Sequence, residues 1–117
     1  MASDSLDKLR GKLRKFADER EWDQFHTPKN LCCALAVEAA ELLEIFQWQP
    51  DLKAGELPAE TVAAAQEEIG DVLLYLIRLS DKLGVDPVHA ANAKLVINAG
   101  KYPVALSRGT SKKYTRL

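Results

Sequence analysis

The sequence predicts an all-α fold, a four-helix bundle-like protomer. Apolar residues recur at helical spacing along four segments, two of those segments open on a capping residue followed by proline, and no stretch alternates as a strand does. Leu6, Leu9, Leu13 and Phe16 share one face of the first helix, which Ser5 can cap and which should end near Arg20. A polar-aromatic link, Glu21-Trp22-Asp23-Gln24-Phe25-His26, follows. Thr27-Pro28 begins the second helix with a hydroxyl cap and a proline at the first helical position. That helix is expected to run to about Gln47 and to stop before Pro50. Residues 51–58 hold Gly55 and Pro58 and read as a loop. The third helix covers about Ala59 to Leu83, with Gly84 as its C-cap. Asp86-Pro87 opens a fourth, to about Gly100, and the chain after Pro103 is expected to be irregular.

A length of 117 residues, 47% hydrophobic and 28% charged, suits a single domain, 1–117, with a real core. The net charge of −1 gives no general pull toward a nucleic acid polymer or an anionic membrane, and no apolar run approaches the ~20 residues of a membrane span. Met1 to Lys12 is polar and lacks the apolar segment of a secretory signal, so a cytoplasmic protein is expected. Cys32 and Cys33 are adjacent, a poor spacing for a disulfide or a metal, and read as small core residues in a reducing cytosol. Residues 101–117 carry Lys101, Arg108, Lys112, Lys113 and Arg116 but no acid; a solvated terminus and a clamp for a polyanion both fit that composition.

The anomaly is acid on an apolar face. With Leu31 at zero and about 100° per residue, Leu35, Leu42 and Ile45 fall within about 40°, and Glu38 lies about 20° away, inside their stripe. Glu41 falls on its edge and Glu44 points elsewhere. A core-facing glutamate is costly unless it is paired or coordinates something. On the third helix Val62, Ile69, Leu73, Leu76 and Leu83 form the expected core stripe, and Glu68, Asp71 and Tyr75 line its flank at i, i+3 and i+7. Leu74 and Ile77 lie outside that stripe, so this helix should be central or covered by another subunit. Four carboxylates converging from two helices would repel one another, and a divalent cation removes the conflict. Oxygen-only ligation suits Mg²⁺ or, as a substitute, Mn²⁺.

Acid pairs at i, i+3 are common on solvated helices, and any single pair reads that way first; the position of Glu38 speaks against it here. A di-iron bundle would add Glu-x-x-His, and the nearest match, Asp86-x-x-His89, places its acid at a helix cap. The alternative class is a non-catalytic helical module that binds a nucleotide or a partner, with the acids as surface charge.

Four segments carry a resemblance: FADEREWDQFHTPKNL (16–31), VEAAELLEIFQW (37–48), EEIGDVLLYLIRL (67–79) and KYPVALSRGTSKKYT (101–115). In these the chain resembles the all-α MazG-like nucleotide pyrophosphohydrolases, within them the dCTP pyrophosphatase branch. The resemblance implies an Mg²⁺-dependent enzyme of nucleotide-pool clean-up that converts a nucleoside triphosphate and water to the monophosphate and pyrophosphate. It places catalytic metal ligands at Glu38, Glu41, Glu68 and Asp71 and base-pocket residues at Trp22, Trp48 and Tyr75. His26, Lys94 and Asn98 fall at further positions expected to meet the nucleotide. It also implies a homo-oligomer, in this branch a tetramer. Where the family pattern often has glycine, this chain has Val37 and Ala40, both small enough to keep the metal site.

Overall fold

A computed structural model of the chain describes residues 5–117; the first four residues of the polar N-terminus lie outside the described residues. Five helices are present and no strand occurs among the described residues: α1 (Leu6–Glu19), α2 (Pro28–Phe46), α3 (Ala59–Leu83), α4 (Pro87–Lys101) and α5 (Val104–Ser107). Single 3₁₀ turns occupy Asp23–Phe25, Ala54–Glu56 and Tyr114–Arg116. The all-α expectation holds.

The helix starts follow from their caps. Ser5 accepts from the Lys8 amide at 3.2 Å, and Thr27 accepts from the Asn30 amide at 3.3 Å, with Pro28 in the first turn. Asp86 accepts from the amides of Val88 and His89 at 3.0 and 3.1 Å. α3 stops at Gly84, whose φ of +66° costs glycine little. The short α5 departs from the irregular tail expected after Pro103: the proline itself stands at the N-cap of a single helical turn.

The chain forms two compact units, Met1–Gly84 and Val85–Leu117. In the first, α3 packs against both α2 and α1. Ala17, Leu31, Ala65 and Ile77 are its buried apolar residues. The α2 stripe is as expected: Leu31 is buried, Leu35, Glu38, Glu41, Leu42 and Ile45 are half-buried, and Glu44 is exposed. The α3 stripe is not. Val62, Ile69, Leu73, Leu76 and Leu83 face outward, while Thr61, Ala65, Ile77 and Arg78 are buried and Glu68, Asp71 and Tyr75 are half-buried. Ile77 is thus the one large apolar side chain fully buried from α3; small and polar groups supply the rest of its buried face, and the expected apolar row is left on the surface of the protomer. Cys32 and Cys33 are likewise exposed rather than core residues. In the second unit α4 leaves Leu95, Val96 and Ile97 exposed, and Tyr102 meets Tyr114 edge to face at 5.9 Å between centroids.

Candidate active site

The antiparallel course of α2 and α3 brings Glu38, Glu41 and Glu68 together. One carboxylate oxygen from each lies within 4.8 Å of the others, the only such cluster of His, Cys, Asp or Glu among the described residues. No histidine joins it, and Asp86, the acid nearest to a Glu-x-x-His pattern, is spent as a helix cap. Glu38 is held above the usual carboxylate range, first by its contact with the Glu68 carboxyl, then by burial and by the charge of Asp71. Glu41 is raised as well, chiefly by Glu38. Oε2 of Glu38 and Oε2 of Glu68 are both buried without a hydrogen-bond partner. Buried, unpartnered oxygens from crowded carboxyls fit a hard divalent cation, which answers both the desolvation and the repulsion. Asp71 stands outside the close triad. It bears on Glu38 through its charge, and it lines an adjoining cavity.

That cavity, of about 200 Å³, lies between α1, α3 and the α1–α2 link. Phe16, Trp22, Leu74 and Tyr75 give it aromatic and apolar walls; His26, Asp71 and Arg78 are its polar groups. Trp22 directly follows a left-handed residue, Glu21, at φ +55°, which lies two residues beyond the end of α1. The Trp22 and Phe16 rings meet in a T-shaped arrangement at 5.7 Å between centroids, and the Arg20 guanidinium lies 3.6 Å from the centre of the Phe16 ring. Tyr75 joins the wall from one turn beyond Asp71 on α3.

The other expected nucleotide residues are divided between the two units. Trp48, just past the end of α2, is 88% exposed and does not line the cavity. Lys94 and Asn98 share a face of α4 with Lys101, in the second unit. Asn98 is half-buried and Lys94 exposed, while the Lys101 ammonium sits 4.9 Å from the centre of the Tyr114 ring.

The structure adds a residue that the sequence pattern did not single out. Arg78 is 4% exposed. Its Nε donates to His26 Nδ1 at 3.0 Å, its Nη2 donates to Asp23 Oδ1 at 2.6 Å, and its Nη1 lies 3.6 Å from Asp81 Oδ2. Lys82 also binds Asp23, and Arg14 grips Asp81 from α1. A signal was present: Arg78 follows Asp71 and Tyr75 at i+7 and i+3, so a cation shares the face of the acids.

Comparisons with known proteins agree with this geometry. The MazG-like family matches residues 33–117. The chain is 45% identical to dCTP pyrophosphatase 1 of Mus musculus over 115 residues, which is 97% of this chain and 68% of the relative. It is 45% identical to dCTP pyrophosphatase 1 of Homo sapiens over 116 residues, with the same shares covered. The crystal structure of a pyrophosphatase from Archaeoglobus fulgidus superposes with a TM-score of 0.75 at 39% identity, covering 88% of this chain and 96% of that one. With more than half of its length matched and two-thirds of its relatives covered, the chain belongs to the MazG-like family.

Proposed function

We propose that this chain is an Mg²⁺-dependent nucleotide pyrophosphohydrolase that splits a deoxynucleoside triphosphate between the α and β phosphates. It favours dCTP or a 5-substituted dCTP and serves nucleotide-pool clean-up. One observation carries the reading: a triad of carboxylates with two buried, unpartnered oxygens adjoins an aromatic-walled cavity, and Asp71 belongs to the surroundings of both. The names of the relatives, dCTP pyrophosphatase 1, supply the substrate.

Glu38, Glu41 and Glu68, with Asp71 beside them, hold Mg²⁺, for which Mn²⁺ can substitute. The ion supplies charge neutralisation for the triphosphate and lowers the pKa of the attacking water. Water adds to the α-phosphorus, the bond to the bridging oxygen breaks, and pyrophosphate leaves; a carboxylate of the set accepts the proton. Trp22 and Tyr75 stack on the base, whose π-face every aromatic wall accepts, and His26 meets its polar edge. The family resemblance assigns Lys94 and Asn98 to phosphate or sugar and Trp48 to the base.

The same reading makes the protein a homo-oligomer, a dimer or a tetramer, of single MazG-like domains. Val62, Ile69, Leu73 and Leu76, together with Leu43 and Trp48, are large apolar residues exposed on the protomer, and a second copy that covered them would remove them from water. No described helix is long and apolar enough to cross a membrane. The cytoplasm, where the nucleotide pool lies, is the compartment assigned.

Single replacements Glu38→Gln, Glu41→Gln, Glu68→Gln and Asp71→Asn test the reading. Each should lower turnover of dCTP by at least ~10–100-fold at saturating Mg²⁺, the range already seen for groups one shell farther from a metal. Near-wild-type activity in two or more of them would overturn the ligand set. A panel of the four dNTPs, dUTP, CTP and 5-methyl-dCTP then tests the base; a purine nucleotide ahead by more than about tenfold in kcat/KM, a margin of ~1.4 kcal/mol, would remove dCTP and leave the reaction standing.

A further inference from the structure

The contact between Arg78 and His26 has a chemical direction. A guanidinium carries donors and no acceptor. Its Nε lies 3.0 Å from Nδ1 of His26, so Nδ1 presents a lone pair and the ring proton of the neutral imidazole resides on Nε2. Arg78 has no freedom to offer another face: it is 4% exposed, and Asp23 holds its Nη2 at 2.6 Å. Its charge is answered by Asp23 and by Asp81, 3.6 Å from Nη1, so it is a poor free cation for phosphate. Burial, and then the Arg78 charge, hold the His26 imidazole below its usual range. His26 lines the aromatic cavity, and with its Nδ1 edge turned to Arg78, the Nε2 edge is left for a ligand.

We infer that Arg78 is a positioning residue that fixes His26 as the neutral Nε2–H tautomer, so that the cavity offers a hydrogen-bond donor and selects a planar ring whose edge presents an acceptor. A pyrimidine carbonyl or an unprotonated ring nitrogen is that edge; an exocyclic amine turned to His26 leaves two donors facing each other, and a site with mismatched polar groups rejects its ligand strongly. The recognition step rests on the proposal that this cavity takes the base; the tautomer does not.

The test is a long-range ¹H–¹⁵N correlation spectrum of the ¹⁵N-labelled full chain, alone and with dCMP. His26 and His89 are its two histidines, and His89→Gln assigns them. The expected result is an unprotonated Nδ1 and a protonated Nε2 on His26 near neutral pH, with both resonances moving when dCMP binds. An Nδ1–H tautomer or an imidazolium overturns the role of Arg78, whatever dCMP does. An Nε2–H tautomer that dCMP leaves unmoved overturns the recognition step and, with it, the base-binding reading of the cavity. Arg78→Met should admit the Nδ1–H form and raise KM for dCTP about tenfold, more than it alters kcat, a loss typical of one hydrogen bond to a charged or buried partner. Arg78→Lys, which retains a donor and the charge, should retain more of the Nε2–H form and keeps the question answerable if the methionine variant does not fold. An unchanged, pure Nε2–H tautomer in Arg78→Met would show that His26 is set by something else.

Discussion

Glu38 on α2 and Glu68 on α3 face each other closely enough that the Glu68 carboxyl raises that of Glu38, and each keeps one buried oxygen without a hydrogen-bond partner. The sign of the consequence is fixed. A carboxyl whose pKa is raised on folding contributes stability below its unfolded value of about 4.3, and that contribution is lost as pH rises through the folded value. Metal-free protein should therefore gain stability from Glu38→Gln at neutral pH. Added Mg²⁺ should raise the Tm of wild type more than that of the variant. Thermal melts with EDTA and with Mg²⁺ measure both; a metal-free variant that melts below wild type would contradict the crowding of the triad.

A second pair works in the opposite sense. Arg14 on α1 binds Asp81 on α3 through Nε to Oδ2 at 2.7 Å and Nη2 to Oδ1 at 2.5 Å. Those bonds, more than any other cause, hold the Asp81 carboxyl below the usual carboxylate range. Its stabilisation is complete above the unfolded value of about 3.9 and is lost as pH falls through the lower folded value. Asp81→Asn should cost about 1–2 kcal/mol at pH 7, since the Arg14 side of the pair is half exposed. The deficit should shrink as pH falls below about 3.9. Urea unfolding at several pH values reads it, and a deficit that stays constant into acid would mean that the pair carries no charge-dependent energy.

Glu21 makes a backbone prediction. Its φ of +55° lies where side chains other than glycine are strained. Glu21→Gly should stabilise by about 0.5 kcal/mol, the relief of left-handed strain less the greater freedom of the unfolded chain, while Glu21→Val should destabilise by about 1 kcal/mol. Equal stabilities for the two variants would show that the turn is not held in that conformation in solution.

These three sites differ in how far the sequence announces them. Glu38 is legible because a carboxylate inside the Leu31, Leu35, Leu42, Ile45 stripe breaks the periodicity, and helical geometry alone puts it on the packed face. The cap-plus-proline pairs at Thr27-Pro28 and Asp86-Pro87 are equally local, and their helices start there. The inward face of α3 is not legible in the same way. Hydrophobicity picks the row of Val62, Ile69 and Leu73, but close packing against α2 selects Thr61, Ala65 and Glu68, and a pattern that scores apolar character alone does not register that choice. Arg78 escapes for a related reason: a lone arginine in a helix reads as solvated until Asp23 and His26 of the α1–α2 link close on it beside Asp81 of its own helix. Trp22 follows the left-handed Glu21, where no glycine marks the turn. The helical turn at Val104–Ser107 is too short for any period to show.

The most direct measurement is the identity of the first products formed from dCTP. The protein is incubated with dCTP and Mg²⁺, samples are quenched at low conversion, and nucleotides and phosphates are separated by anion exchange. Attack at the α-phosphorus predicts dCMP and pyrophosphate in equal amounts from the first time point, with both lost on adding EDTA and in Glu38→Gln. The appearance of dCDP and orthophosphate as the initial products would contradict the proposed reaction, because the terminal phosphate would then be the one attacked.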